Sequence, residues 1–304
     1  MRVVTRPDFD GIVCAVLLLE ALGIQKPVFW VEPGDLQKGR VPIADGDVIA
    51  NLPFHPKCRM WFDHHVSNRP AIDFEGAFAL APSAARVVYD HFGDRLQPRY
   101  DDLVAAADKI DAAALSQEEV LHPERYPEVL ISMTVTGQDT DGPPYWTHLV
   151  NLLREQDISS ARAAPMVDAR CQLALAQNDA YCSLLSTHTR RDGPVSVTDF
   201  RDIRPAPIGN RFLIYCLFPE TTVNVKIRRD SNEPERLIVS VGHSIFNRQC
   251  NVNVGRLMKR FDGGGHRGAG ACNFREHREG EILPEIIAIL KANRDIEDAA
   301  ETGA

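Results

Sequence analysis

Asp8 and Asp10 stand two apart in "PDFDG", and Asp63, His64 and His65 are consecutive in "WFDHHVSN". In an extended segment residues i and i+2 project to the same side, so Asp8 and Asp10 can reach one site. Carboxylate oxygens suit hard divalent cations such as Mg2+ or Mn2+. An added imidazole shifts the preference toward Mn2+, Fe2+ or Zn2+. A histidine beside an aspartate at a strand end can hold a metal, while its neighbour donates a hydrogen bond to a bound phosphate. In "AAADKIDAA", Asp108 and Asp111 lie three apart on a predicted helix and share a face. A carboxylate among alanines needs a partner, and a cation is a good one. Near the C-terminus, "FDGGGHRGAGAC" offers glycines whose backbone can approach an anion, with His266 and Arg267 as donors. Each segment also has a plainer reading. These are a helix cap at Asp10, a polar turn closing a strand at Asp63, an ion pair at Asp108 and a flexible turn at the glycines.

The elements that would position these groups are short. Strands are predicted at "RVVTR", "PVFWV", "DVIANL" and "RMWFD". Helices are predicted at "GIVCAVLLLEALG", at "PSAARVVYDHFGD" with Ser83 as its N-cap, and at "YDDLVAAADKIDAAAL". That alternation gives an α/β fold, with an N-terminal doubly wound, mainly parallel sheet covered by helices on both faces. Ligands of such sheets sit beyond the carboxyl ends of the strands. Asp8 and Asp10, Asn51 and His55, and Asp63 to His65 all follow predicted strands. One or two more helices are expected between Val150 and His188. "RRDGP", Arg190 to Pro194, breaks the pattern and sets expected domains of 1–190 and 194–304. The smaller C-terminal α/β domain has predicted strands at "RFLIYCLF", "TTVNVKIRR" and "RLIVSVG". A helix at "NVGRLMKRF", a loop at "GGGHRGAGAC" and a terminal helix at "EGEILPEIIAILKANRDIEDAAE" complete it. A cleft is expected between the two domains.

The 304 residues are 44% hydrophobic and 25% charged, as in soluble globular proteins. The apolar run "GIVCAVLLLEALGI" is too short for a membrane span and contains Glu20. "MRVVTRPDFD" lacks the apolar core of a secretory signal. Seven scattered cysteines without a CxxC pair argue against structural zinc and a disulfide framework. The expectation is a cytoplasmic protein. A net charge of -8 argues against non-specific binding of long nucleic acid. The charge is uneven: residues 1–193 carry 18 Lys and Arg against 27 Asp and Glu, and residues 201–267 carry 12 against 6. An acidic metal lobe and a basic anion-binding lobe would look like this, as would chance unevenness on solvated faces.

Taken in order, D-x-D, then DHH, then an aspartate in an alanine-rich helix, then GGGH resemble the DHH phosphoesterase superfamily. More narrowly they resemble the two-domain group with a DHH-associated C-terminal domain. That group includes nanoRNase/oligoribonuclease and pAp-phosphatase enzymes and exopolyphosphatase-related proteins. The resemblance covers nearly the whole chain. It implies metal ligands at Asp8, Asp10, His64 and Asp108, with Asp63 orienting or ligating in the same cluster and His65 facing the phosphate. It implies Mn2+ or Mg2+, one or two per chain, activating water for attack on phosphorus. It also implies substrate binding by Gly264, Gly265 and His266, with Arg248 next and Arg267 as an added donor.

This chain departs from the family pattern twice. Val4 stands where a histidine is usual, four residues before the first aspartate. Asn51 stands where an aspartate usually bridges two metals, and a neutral amide bridges cations poorly. His55, four residues on, is a candidate replacement. The expected function is a metal-dependent phosphohydrolase acting on short oligonucleotides or small phosphorylated nucleotides. Two alternatives stay open: a catalytically weakened nucleotide- or phosphate-binding protein, and an exopolyphosphatase-like activity. A redox enzyme on a nucleotide-binding fold is disfavoured, because the first strand runs into D-F-D-G rather than G-x-G-x-x-G. A homodimer is left open and no membrane partner is expected.

Overall fold

The computed structural model describes residues 1–96, 98–137, 139 and 141–295. They form two compact units, one of residues 1–115 and 122–175, the other of residues 116–121 and from Ala176 onward. Among the described residues the first unit is built on five parallel strands: β1 (Val3–Thr5), β2 (Phe29–Trp30), β3 (Val48–Ala50), β4 (Met60–Asp63) and β5 (Gly76–Phe78). Their order is β2-β1-β3-β4-β5. The helices through the middle of the chain are α1 (Phe9–Leu22), α2 (Pro33–Gln37), α3 (Ala84–Phe92), α4 (Asp101–Asp111), α5 (Gln117–Leu121), α6 (Pro127–Met133), α7 (Gly142–Glu155), α8 (Ile158–Arg162) and α9 (Pro165–His188).

The strands alternate between two buried faces, as a two-residue period requires. Val3, Val48, Ala50, Met60 and Phe62 pack with α1, α3, α4 and α7. Val4, Ile49 and Trp61 face the opposite layer with Val31, Leu36, Ile43 and Leu52. That double burial explains the near-continuous apolar strands. Trp61 anchors the second layer. It is fully buried, its indole N–H donates to the Leu52 carbonyl at 2.8 Å, and Phe74 meets it edge-on at 4.9 Å.

Helix α1 starts where Asp8 caps it, accepting from the Gly11 N–H at 2.8 Å. Gly11 has to be glycine, since a Cβ there would stand 1.9 Å from the Arg6 carbonyl oxygen. The helix ends at Gly23 in the left-handed region, φ 61°. It is apolar nearly all round because the sheet, α3, α4 and α7 surround it. Ser83 caps α3 as the sequence suggests, accepting from Arg86 N–H at 3.0 Å.

The second unit holds β6 (Thr189–Asp192), β7 (Val195–Asp199), α10 (Leu213–Leu217), β8 (Val223–Arg229), β9 (Arg236–His243), α11 (Val254–Lys259), β10 (Gly264–His266), β11 (Ala269–Arg275) and α12 (Glu279–Ala292). Its mixed sheet has the order β10-β11-β9-β8-β7-β6, with β7 and β8 parallel and the other pairs antiparallel. Three segments differ from their expectation. "RRDGP" lies in the β6–β7 hairpin, with Gly193 at φ 62° in its turn. "RFLIYCLF" holds the short helix α10 rather than a strand, preceded by a turn in which Asn210 Oδ1 accepts from the Phe212 N–H at 3.0 Å. The glycine segment is a β-hairpin, not an open loop. The expected terminal helix extends beyond α12 into residues 296–301, which lie outside the described residues. No helix among the described residues is long and apolar enough to cross a membrane.

Trp61→Ala is expected to lower the unfolding free energy by about 3–5 kcal/mol, the usual cost of a buried aromatic cavity. Urea denaturation followed by circular dichroism measures it, and a change below about 1 kcal/mol contradicts the packing described.

Candidate metal centre

Two lengths of chain bring acidic and imidazole groups together at the carboxyl ends of β1 and β4. The first is the β1–α1 turn. Asp10, 3% exposed, lies in the first turn of α1. Its Oδ2 accepts from Ala84 N–H at 2.9 Å and its Oδ1 from Ala85 N–H at 2.8 Å. The positive end of α3 thus holds a buried carboxylate with backbone donors. Burial pushes the Asp10 carboxyl well above its usual range, and the charges of Asp111 and Asp8 push it the same way. Burial also lifts Asp8 to about 6, against the lowering pull of the Arg6 guanidinium.

The second length is the β4 end. Asp63 is fully buried and its oxygens are occupied: Oδ1 accepts from His64 N–H at 2.8 Å and pairs with His65 Nδ1 at 2.7 Å, while Oδ2 accepts from the Asn68 amide at 2.7 Å. Asp63 therefore orients the His65 ring and accepts from the His64 backbone. Burial disfavours the His65 imidazolium, but the hydrogen bond and charge of Asp63 outweigh it, and the His65 pKa is raised. His64 Nδ1 lies 2.9 Å from the Ala81 carbonyl, which can only accept. Nδ1 therefore donates to it, which leaves Nε2 as the nitrogen turned toward the carboxylates.

That Nε2 is buried and has no hydrogen-bond partner among the described residues. It stands 3.3 Å from Asp111 Oδ2. Asp10, His64 and Asp111 each place a ligand atom within 4.8 Å of the others, as do Asp63, His64 and His65. Two carboxylates around an imidazole nitrogen that lacks a hydrogen-bond partner fit a divalent cation of the Mn2+ type.

Of the residues singled out in the sequence, Asp10, Asp63, His64 and His65 come together. Asp108 does not join them in this cluster. Asp108 Oδ1 accepts from Ser83 Oγ at 2.6 Å, and Oδ2 from Arg86 Nε at 2.9 Å and Nη2 at 2.8 Å. An aspartate held by arginine and a serine hydroxyl is already neutralised. Asp111, three residues along the same helix face, reaches His64 instead. The pairing of 108 with 111 was visible in the sequence; the arginine that claims one of them was not.

Asp8 is adjacent but otherwise engaged. Its Oδ1 also accepts from Asn51 Nδ2 at 2.9 Å, and its Oδ2 pairs with Arg6 Nε at 3.2 Å. Asn51 is 2% exposed and adopts φ 55°; its Oδ1 is buried and unpartnered among the described residues. Val4 is fully buried in the core. His55 belongs to no metal-competent cluster among the described residues, and its Nδ1 accepts from Lys57 N–H at 3.3 Å.

In the second unit Gly264, Gly265 and His266 form edge strand β10, with Gly265 and His266 exposed. Gly265 adopts φ 149°, and a Cβ on it would stand 2.3 Å from the Ala269 carbonyl oxygen. The glycine thus permits a tight hairpin. Arg248 is exposed and its Nε donates to the Ile245 carbonyl at 2.9 Å. Arg267 pairs with Asp295 at 3.2 Å.

No family model matches the chain, and no curated protein sequence matches it. Solved structures do. The pGpG-specific phosphodiesterase PggH from Vibrio cholerae is 28% identical with a TM-score of 0.80, over 96% of this chain and 99% of that one. A DHH-domain protein described as a member of the s1p family of ribosomal proteins is 14% identical with a TM-score of 0.63, over 96% and 87%. RecJ from Thermus thermophilus, in complex with Mn2+, is 14% identical with a TM-score of 0.57, over 97% of this chain and 53% of RecJ. The two more distant likenesses establish the fold: a parallel-sheet unit followed by a mixed-sheet unit. The chain shares the fold of these structures along nearly its whole length.

The raised carboxyls tie stability to pH and metal. Asp8 has a folded pKa above its ordinary 3.8, so its contribution to the metal-free protein is full below 3.8 and is lost as pH rises through about 6. Asp10 acts in the same direction. A cation relieves the cost only where protons do not compete for the same oxygens. Mn2+ is therefore expected to raise Tm by several degrees at about pH 7.5, and by less at each step toward pH 5. Differential scanning fluorimetry checks this, and an equal shift at both ends contradicts it.

Proposed function

We propose that this chain is a metal-dependent phosphodiesterase that hydrolyses short linear nucleotides, dinucleotides first among them. The observation that carries the reading is His64 Nε2, buried, without a hydrogen-bond partner among the described residues and facing Asp10 and Asp111. The full-length likeness to a phosphodiesterase specific for the dinucleotide pGpG supports the substrate class.

Asp10, His64 and Asp111 would hold the cation, with Mn2+ or Mg2+ the candidates. A cation bound there supplies Lewis-acid polarisation of a phosphoryl oxygen and a lowered pKa for water. The chain's own groups do the rest. Asp63 keeps His65 oriented and favours its protonated form, so His65 can donate to a phosphoryl oxygen and pass a proton to the leaving alkoxide. Asp108, Ser83 and Arg86 fix α3 against α4, and with them the two carboxylates that α3 and α4 position. The assignment of Gly264, Gly265 and His266, with Arg248 and Arg267 beside them, to the far end of the substrate belongs to the same proposal. It rests on the exposed hairpin and on the resemblance of its sequence.

The direct experiment follows hydrolysis of pGpG and of short RNA with and without Mn2+. Wild type is expected to turn over only with metal. Asp111→Asn is expected to lose roughly 100-fold or more in kcat, and Asp108→Asn, which keeps an acceptor for Ser83 or Arg86, less than about tenfold. The reverse ranking makes Asp108 the ligand. Binding of pGpG without turnover under every metal tried supports the alternative of a binding protein, to which Val4 and Asn51 point. His266→Ala is expected to raise KM more than it lowers kcat; a lost kcat at unchanged KM moves His266 into the chemical step.

A further inference from the structure

We infer that the centre is built for one cation, and that Arg6 supplies as a fixed guanidinium the second positive charge of the site. The inference rests on the proposed phosphodiesterase reading and deepens it.

Three observations carry it. First, the two clusters that fit a cation share His64, and in one of them the oxygens of Asp63 are already taken, which leaves Asp10, His64 and Asp111. Second, both oxygens of Asp8 are taken by donors of the chain itself. Oδ1 accepts from Gly11 N–H at 2.8 Å and from the Asn51 amide at 2.9 Å, and Oδ2 lies 3.2 Å from Arg6 Nε. A carboxylate whose two oxygens already accept from an arginine, an amide and a backbone N–H has little room left to ligate a second cation. Third, the places from which a second cation would draw ligands hold none that is charged. Val4 is an apolar core residue, and Asn51 turns its NH2 toward Asp8. The remaining Asn51 Oδ1, buried and unpartnered among the described residues, is a neutral acceptor. It suits a water or one extra ligand for a single cation, but it cannot balance two.

Arg6 is well placed for the complementary role. Its side chain is 43% exposed while anchored to Asp8, with Glu32 a further 4.0 Å contact. A guanidinium half in solvent beside the metal cluster can meet an incoming phosphate, and it carries its charge at any working pH. The site thus replaces an exchangeable ion by a covalently fixed one.

The test is the stoichiometry of Mn2+ on the full-length protein, by isothermal titration calorimetry and by native mass spectrometry. Wild type is expected to bind one equivalent. Two equivalents within tenfold of each other in affinity overturn the inference while leaving the phosphodiesterase reading intact; no binding at all overturns both. Asn51→Asp puts two carboxylates in contact and is expected to recruit a second equivalent. A folded Asn51→Asp protein that still binds one contradicts the reason given for the missing ion. Arg6 is tested separately, so the inference survives an Asn51 variant that fails to fold. With Mn2+ present, Arg6→Ala is expected to weaken 5′-GMP about tenfold, the worth of one charge-assisted contact, and Arg6→Lys to recover part of it. Unchanged 5′-GMP affinity in Arg6→Ala overturns the role of Arg6.

Discussion

The first unit depends on how a buried carboxylate is tolerated. Asp10 is almost completely enclosed, and no side-chain cation is paired with it among the described contacts. It is held by the two N–H groups that open α3, so backbone dipoles carry part of what a counter-ion would. Such donors make the charge bearable but do not cancel it, since Asp111 and Asp8 lie close enough to raise its pKa further. An acidic pocket with an imidazole nitrogen at its edge is therefore suited to a cation.

Holding Asp10 through α3 makes the placement of α3 critical. Ser83 caps that helix and also donates to Asp108 of α4; Arg86, one turn in, clamps the other Asp108 oxygen. The ion pair is partly exposed and contributes modestly to stability by itself. Its geometric consequence is larger. It sets the register of α4 against α3, which brings Asp111 to His64 while α3 keeps hold of Asp10. The pair Asp63–His65 repeats the device on the other side, with a buried acid spent on orienting a histidine.

Much of this was legible in the sequence, for reasons that particular residues make clear. The polar groups that follow β1 and β4 stood out because they interrupt apolar runs, so Asp10, His64 and His65 could be named from one dimension. Asp111 could not be separated from Asp108, because both lie on the same helix face and the arginine that pairs with Asp108, Arg86, comes from a different helix. Arg6 was overlooked, since an arginine before Pro7 looks like any surface residue until its contact with Asp8 is known. In the second unit "RFLIYCLF" has an apolar run too short for periodicity to tell helix from strand, and it holds a short helix. "GGGHRG" was read as letting backbone approach an anion; its glycines also let paired strands of a hairpin meet closely.

The measurement that bears most directly on the central claim is anomalous diffraction at the manganese edge from crystals grown with Mn2+. The account predicts a peak within coordination distance of His64 Nε2 and of carboxylate oxygens from Asp10 and Asp111, with Asp108 still on Arg86. A peak ligated by Asp108, or manganese bound only away from His64, would contradict it.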